Sequence, residues 1–62
     1  MIKLRDIPQN SKIFCEASDG SKFVIFNHLD GSYSYCTTEK DGFAHLYQRI
    51  ELKKVKGGYE FA

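Results

Sequence analysis

The sequence has no long apolar run and no excess of charge of either sign. Its longest apolar run is the four residues Phe23–Phe26, whereas a membrane helix needs roughly 18. Nine basic residues against eight acidic ones give a formal net charge of +1, which disfavours a strongly basic nucleic-acid or membrane binder. The N-terminus also lacks the apolar region of a signal peptide. We therefore expect a cytoplasmic protein with no membrane contact.

The chain has room for one small core and little else. It has 62 residues, of which 42% are apolar, with five Phe and four Tyr, and this is too apolar for a disordered tail. A chain this short needs nearly all of its apolar side chains for folding, so no small-molecule substrate is expected. We predict a single domain over 1–62, with an N-terminal arm at 1–9 and a β-barrel at 10–62.

Recognisable chemical motifs are absent. The possible soft metal ligands are Cys15, His28, Cys36 and His45, and none of them has the Cys-x-x-Cys or His-x3–5-His spacing of a zinc site. No phosphate-binding glycine motif occurs, and nothing marks an activated cysteine beside a histidine. We therefore predict reduced, buried thiols, no cofactor, no metal and no catalytic residue.

Turn signals are what the sequence has in abundance. Asp-Gly recurs every eleven residues, at 19–20, 30–31 and 41–42, and a Gly-Gly pair follows at 57–58. Asp-Gly between alternating apolar segments is a strong hairpin signal, because glycine accepts the positive φ of tight turns. This spacing indicates short antiparallel strands connected in sequence.

The segments between these turns have the alternation and the residue types of strands. β-Branched and aromatic residues are enriched in them. The predicted strands lie within Lys12–Ala17, Lys22–His28, Tyr33–Thr38, 43–55 and Tyr59–Phe61.

The segment 43–55 fits two structures. Alternate residues from Ala44 to Leu52, all apolar except Gln48, share one face of an extended chain, which favours a strand. A helix is the alternative, because Phe43 and Tyr47 are spaced by about one helical turn and a glycine follows the segment as a possible cap.

The fold predicted from these elements is all-β. It is a five- to six-stranded antiparallel meander closed as an SH3-like barrel, because closure removes exposed strand edges. The alternative is a β-meander with one C-terminal helix at about 43–55.

One predicted strand is apolar on both faces, although a sheet with a single core normally turns one polar face to water. A second apolar face is expected to be covered by another part of the chain or by another protein. The cover is either the N-terminal arm, through Ile2, Leu4 and Ile7, or another protein, including a second copy of the chain. The residues of this candidate partner-binding strand are Phe23, Val24, Ile25 and Phe26.

A basic segment near the C-terminus suggests an alternative site. Four Lys and Arg residues surround a single Glu there, and hairpins bring tyrosines near them. Aromatic platforms beside basic grooves are how small barrels hold single-stranded nucleic acid. The residues of this alternative are Tyr33, Tyr35, Tyr47, Arg49, Lys53, Lys54 and Lys56.

The preferred function is a small, non-enzymatic interaction module or accessory protein that acts through protein contacts, as a homodimer or with another partner. The alternative is a single-stranded nucleic-acid binder. The doubly apolar strand supports the first function, and the basic segment supports the second.

Overall fold

The computed structural model describes all 62 residues. It is all-β, as predicted, and the α-helix considered for 43–55 is absent, because two separate strands occupy that segment. None of its helices is long or apolar enough to cross a membrane. The strands are β1 (Ile2–Lys3), β2 (Lys12–Phe14), β3 (Phe23–Asp30), β4 (Tyr33–Thr37), β5 (Ala44–Tyr47), β6 (Glu51–Val55) and β7 (Gly58–Phe61), and one 3-10 turn covers Leu4–Asp6.

All seven strands belong to one sheet, in the order β1-β6-β7-β2-β3-β4-β5. The expected meander runs through β2, β3, β4 and β5, whereas β6 and β7 form a hairpin on its other side. Only β2 and β7 are parallel. The edge strands β1 and β5 do not pair, so the sheet is open and the SH3-like barrel is not confirmed. The strand number exceeds the predicted five to six, because the N-terminal arm adds β1 and 43–55 divides into two strands.

The sheet is strongly curled although it is open. In a flat sheet, β5 and β6 would be five strand spacings apart, or about 24 Å. The chain joins Tyr47 to Glu51 through only residues 48–50, and four Cα steps span at most about 14 Å. The two ends of the sheet are therefore neighbours in space, and the ring centroids of Tyr47 and Phe61 lie 5.3 Å apart.

The predicted turns lie between the strands. In the β3–β4 hairpin, Asp30 pairs with Tyr33 and only two residues connect them. Gly31 has a φ of +62° there, a conformation that L-residues with a side chain disfavour. Glycine is required at position 58 because the backbones of β7 and β2 approach closely there. A Cβ on Gly58 would lie 2.6 Å from the carbonyl oxygen of Lys12.

The core lies on one side of this curled sheet, which we call the inner face. The predicted alternation of β2 and β4 is confirmed, since Ile13, Ser34 and Cys36 are fully buried. The N-terminal arm also packs here. The apolar core residues are Leu4, Ile7, Ile13, Ala17, Val24, Phe26, Cys36 and Leu52. The arm is therefore part of the core, and it does not cover the second face of β3.

Candidate functional site

The side of β2–β5 that points away from the core carries the second apolar surface, which we call the outer face. One row of cross-strand neighbours runs over all four strands of this surface. Ile25 on β3 pairs with Lys12 on β2 and with Thr37 on β4, and Thr37 pairs in turn with Ala44 on β5. Paired residues point to the same side of a sheet, so this row forms a continuous strip.

A second row lies beside the first. His28 pairs with Tyr35, which pairs with Leu46. The rings of His28 and Tyr35 stack, with centroids 4.7 Å apart, and Leu46 is 52% exposed. A register shift between Phe26 and His28 turns His28 outward although Phe26 points inward.

The β2 end of the outer face is aromatic. Phe14 pairs with Phe23, and their rings meet edge to face with centroids 6.2 Å apart. The ammonium group of Lys12 lies 4.7 Å from the centre of the Phe23 ring, a favourable cation–π geometry.

Charge on the outer face is confined to its two ends. Lys12 lies at the β2 end, and Asp30, the partner of Tyr33, lies at the far end of β3. The residues of the outer face are Lys12, Phe14, Phe23, Ile25, His28, Asp30, Tyr33, Tyr35, Thr37, Ala44 and Leu46.

The predicted partner-binding residues divide between the two faces. Val24 is fully buried and Phe26 is 5% exposed, so both belong to the core and neither side chain lies on the outer face. Phe23 and Ile25 are half-buried on the outer face. Sequence reasoning missed Leu46, because the rows that join it to β3 depend on cross-strand register.

The predicted nucleic-acid residues do not form one surface. Tyr33 and Tyr35 lie on the outer face of β4, while Lys53 and Lys54 lie on β6, which does not pair with β4 or β5. Lys56 lies in the turn that connects β6 and β7.

The remaining two residues of that prediction, Tyr47 and Arg49, line one groove of about 400 Å³ together with Lys53. The Arg49 guanidinium lies 6.0 Å from the centre of the Phe61 ring. Two carboxylates balance the two positive charges of the groove. Its lining residues are Phe14, Cys15, Glu16, Tyr47, Arg49, Lys53, Glu60 and Phe61.

A polar network joins the β2–β3 connection to the β4–β5 connection. The buried Thr38 hydroxyl donates to the Asp19 carboxylate and also lies 3.1 Å from Oδ1 of Asp41. His45 Nε2 lies 3.2 Å from that same oxygen, and its Nδ1 lies 3.3 Å from the Ser18 hydroxyl. Alternate turns of a meander lie at the same end, so the 22-residue spacing of the two aspartates could have indicated this network.

Hydrogen bonds favour the charged form of both carboxylates in this network. Hydrogen bonding from Thr38 lowers the pKa of Asp19 to about 2, and the Phe43 backbone N–H lowers the pKa of Asp41. Ligand atoms of Asp19, Asp41 and His45 lie within 4.8 Å of one another, so these residues could hold a divalent cation. Each of them already has a hydrogen-bond partner. These hydrogen bonds connect the β2–β3 connection to the β4–β5 connection.

The four soft ligands considered from the sequence do not converge. His28 stacks on the outer face, whereas Cys36 is fully buried in the core, opposite His45 on β5. Burial raises the pKa of Cys36 to about 11 and also raises that of the half-buried Cys15. Both thiols are therefore protonated at neutral pH, unlike an activated nucleophile.

Comparisons of the chain with protein-family models, with curated proteins and with solved structures find no match. Function is therefore inferred from the surfaces described above.

Proposed function

We propose that this protein is a non-enzymatic interaction module that binds protein through the outer face of β2–β5. The observation that carries the proposal is the two cross-strand rows centred on Ile25 and Tyr35. They form an apolar and aromatic surface on the side of the sheet that the chain's own core does not cover.

The composition of this surface is that of a protein contact. Interface centres are depleted in charge and enriched in aromatic side chains. On the outer face, Phe14, Phe23, Tyr33 and Tyr35 meet this description, and charge is restricted to the ends. Leu46 adds an aliphatic side chain that is 52% exposed.

The flanking surface supports the same function. Beyond β2, the sheet continues into β7 and β6, where Lys53 and Glu60 pair across the strands with 3.5 Å between Nζ and Oε1. A charged, solvated border around an apolar centre is the usual arrangement of a protein interface.

Photo-crosslinking in the cell that produces the protein tests this function. A photoreactive phenylalanine analogue replaces Tyr33, an exposed aromatic residue of the outer face, or Leu46. The same analogue at Lys56, in the β6–β7 turn, is the matched control. We expect covalent adducts with protein from both outer-face positions and not from the control.

The masses of the adducts identify the partner. Adducts of twice the chain mass indicate self-association, and other masses indicate another protein. Absence of adducts at both outer-face positions, or equal adducts at Lys56, would refute an outer-face contact.

The groove supports a second candidate function, binding of single-stranded nucleic acid. It holds three of the predicted residues, and Arg49 lies over Phe61 without a carboxylate partner. The balancing acids in the groove make this candidate the weaker one. Titration with a labelled oligonucleotide at low and high salt tests it, because phosphate contacts give a salt-dependent affinity.

If the groove binds nucleic acid, Arg49→Ala should weaken binding to all sequences about equally, and Lys56→Ala, outside the groove, should not. Undetectable binding at low salt would exclude this candidate.

A further inference from the structure

We infer that the partner seated on the outer face is a second copy of this chain, packed face to face about a twofold axis. This inference rests on the proposed function, since it names the occupant of the same surface. It depends on the distribution of charge over the outer face.

The two charges of the outer face are opposite and lie at opposite ends. Lys12 is the register neighbour of Ile25, whereas Asp30 lies at the end of β3 beside the β3–β4 turn. At about 3.4 Å per residue along the strand and about 4.8 Å between strands, their Cα atoms are roughly 15 Å apart. The surface between them has no other formal charge.

A twofold axis makes this pattern complementary to itself. If the axis lies between two facing sheets and crosses the line from Lys12 to Asp30 at its midpoint and at a right angle, each lysine faces the aspartate of the other copy. Ile25 and Tyr35 then lie near the axis. An interface of this isologous type needs only one patch that complements itself, and the outer face has this property.

Size predicts the strength of the association. Four flat strands of about five residues each would cover roughly 300 Å². Because the sheet curls around its core, the outer face is convex and two copies touch over a smaller area, which belongs to the smaller class of protein contacts. We therefore expect a weak dimer, with a dissociation constant of roughly 10–500 μM.

Variants that reverse one of these two charges test the inference. Sedimentation velocity measures their self-association at protein concentrations up to about 1 mM. In a dimer of Lys12→Asp, two aspartates face each other at both ends, and in a dimer of Asp30→Lys, two lysines do. Each variant alone should raise the dissociation constant about tenfold or more. An equal mixture of the two variants pairs opposite charges at both ends and should recover association.

The double variant Lys12→Asp with Asp30→Lys should also recover association, which excludes a folding defect as the cause of the single-variant losses. Lys56→Asp and Glu39→Lys are matched charge changes outside the outer face, and both should associate like the wild type. Thermal unfolding of every variant checks its fold.

The outcomes separate the inference from the proposed function. Recovery in the mixture and in the double variant supports the twofold dimer. A wild type that stays monomeric at 1 mM, single variants that associate normally, or a mixture that stays monomeric overturns it. Outer-face crosslinks to a different protein would then keep the proposed function, and absence of such crosslinks would remove both.

Discussion

The inner and outer faces of β3 and β4 consist of similar residues but differ in what covers them. On the inner face, Val24 and Cys36 have no exposed surface, and Phe26 is 5% exposed. On the outer face, Ile25 and Tyr35 are each half-buried, and only neighbouring strands shield them. Both faces are apolar, so hydrophobicity alone does not distinguish a core from a contact surface.

The difference arises because the rest of the chain packs against only one side of the sheet. Leu4, Ile7 and Leu52, from segments outside the meander, are buried against the inner face. No comparable segment crosses the outer face. An apolar surface left in this state is a candidate for intermolecular contact, and the following predictions test the contrast.

The largest expected effect is the loss of an inner-face side chain. Phe26→Ala should lower the free energy of unfolding by about 3–5 kcal/mol, a large part of the roughly 3–9 kcal/mol expected for a domain of this size. Ile25→Ala, the adjacent outer-face change, should cost about 1 kcal/mol. Urea unfolding followed by circular dichroism measures both. Equal losses would mean that the outer face is as tightly packed as the core.

A smaller effect on stability is expected from the carboxylate of Asp19, which accepts a hydrogen bond from the Thr38 hydroxyl. The ordinary pKa of 3.8 falls to about 2 in the folded state, so this carboxylate stabilises the fold fully above pH 4. That contribution is lost progressively as the pH falls from about 4 to about 2, because over this range the unfolded state binds a proton that the folded state does not. Unfolding measured between pH 5 and pH 2 should therefore show a steeper loss in the wild type than in Asp19→Asn.

Glu39→Gln is the control for this pH series, because Glu39 is exposed and lies outside the network. It should keep the steeper loss of the wild type. A pH dependence of Asp19→Asn identical to that of the wild type would contradict a stabilising role for this carboxylate.

The smallest expected effect is a difference in thiol reactivity between positions 36 and 37, which lie on opposite faces of β4. Cys36 is fully buried and its pKa is raised to about 11 by burial, whereas Thr37 is half-buried on the outer face. In a Cys15→Ser background, the native thiol should react with a thiol reagent at least about tenfold more slowly than the thiol introduced by Thr37→Cys with Cys36→Ser. Similar rates would indicate that the inner face opens readily.

Local patterns predicted the strands well. Each Asp-Gly signal marks a connection between strands, with Asp30 as the last residue of β3. The alternation of Tyr33–Thr38 identified both faces of β4 correctly. The break at 48–50 was not predicted, because Ile50 and Leu52 continue the alternation of Ala44 and Leu46 and the polar Gln48 alone interrupts it. Periodicity reports which side of a strand a residue occupies, and it does not report where the chain leaves one strand for another.

The candidate site was predicted only in part. Two of its residues, Phe23 and Ile25, follow from the doubly apolar strand, whereas the inward direction of Val24 and Phe26 depends on which side the core forms. His28 and Leu46 join the surface through Tyr35. This row exists only because the register shift after Phe26 aligns residues distant in sequence.

The amino-acid sequence by itself determined the strand segments, their turns and the alternation along each strand, because these depend on neighbouring residues and on glycine at positive φ. Tertiary structure alone decided the sheet order, the curl that brings β5 to β6, and the side on which the N-terminal arm packs. Those features depend on pairing and burial between distant segments. The apolar strand noticed in the sequence therefore became a core face and an outer face only after the whole sheet had formed.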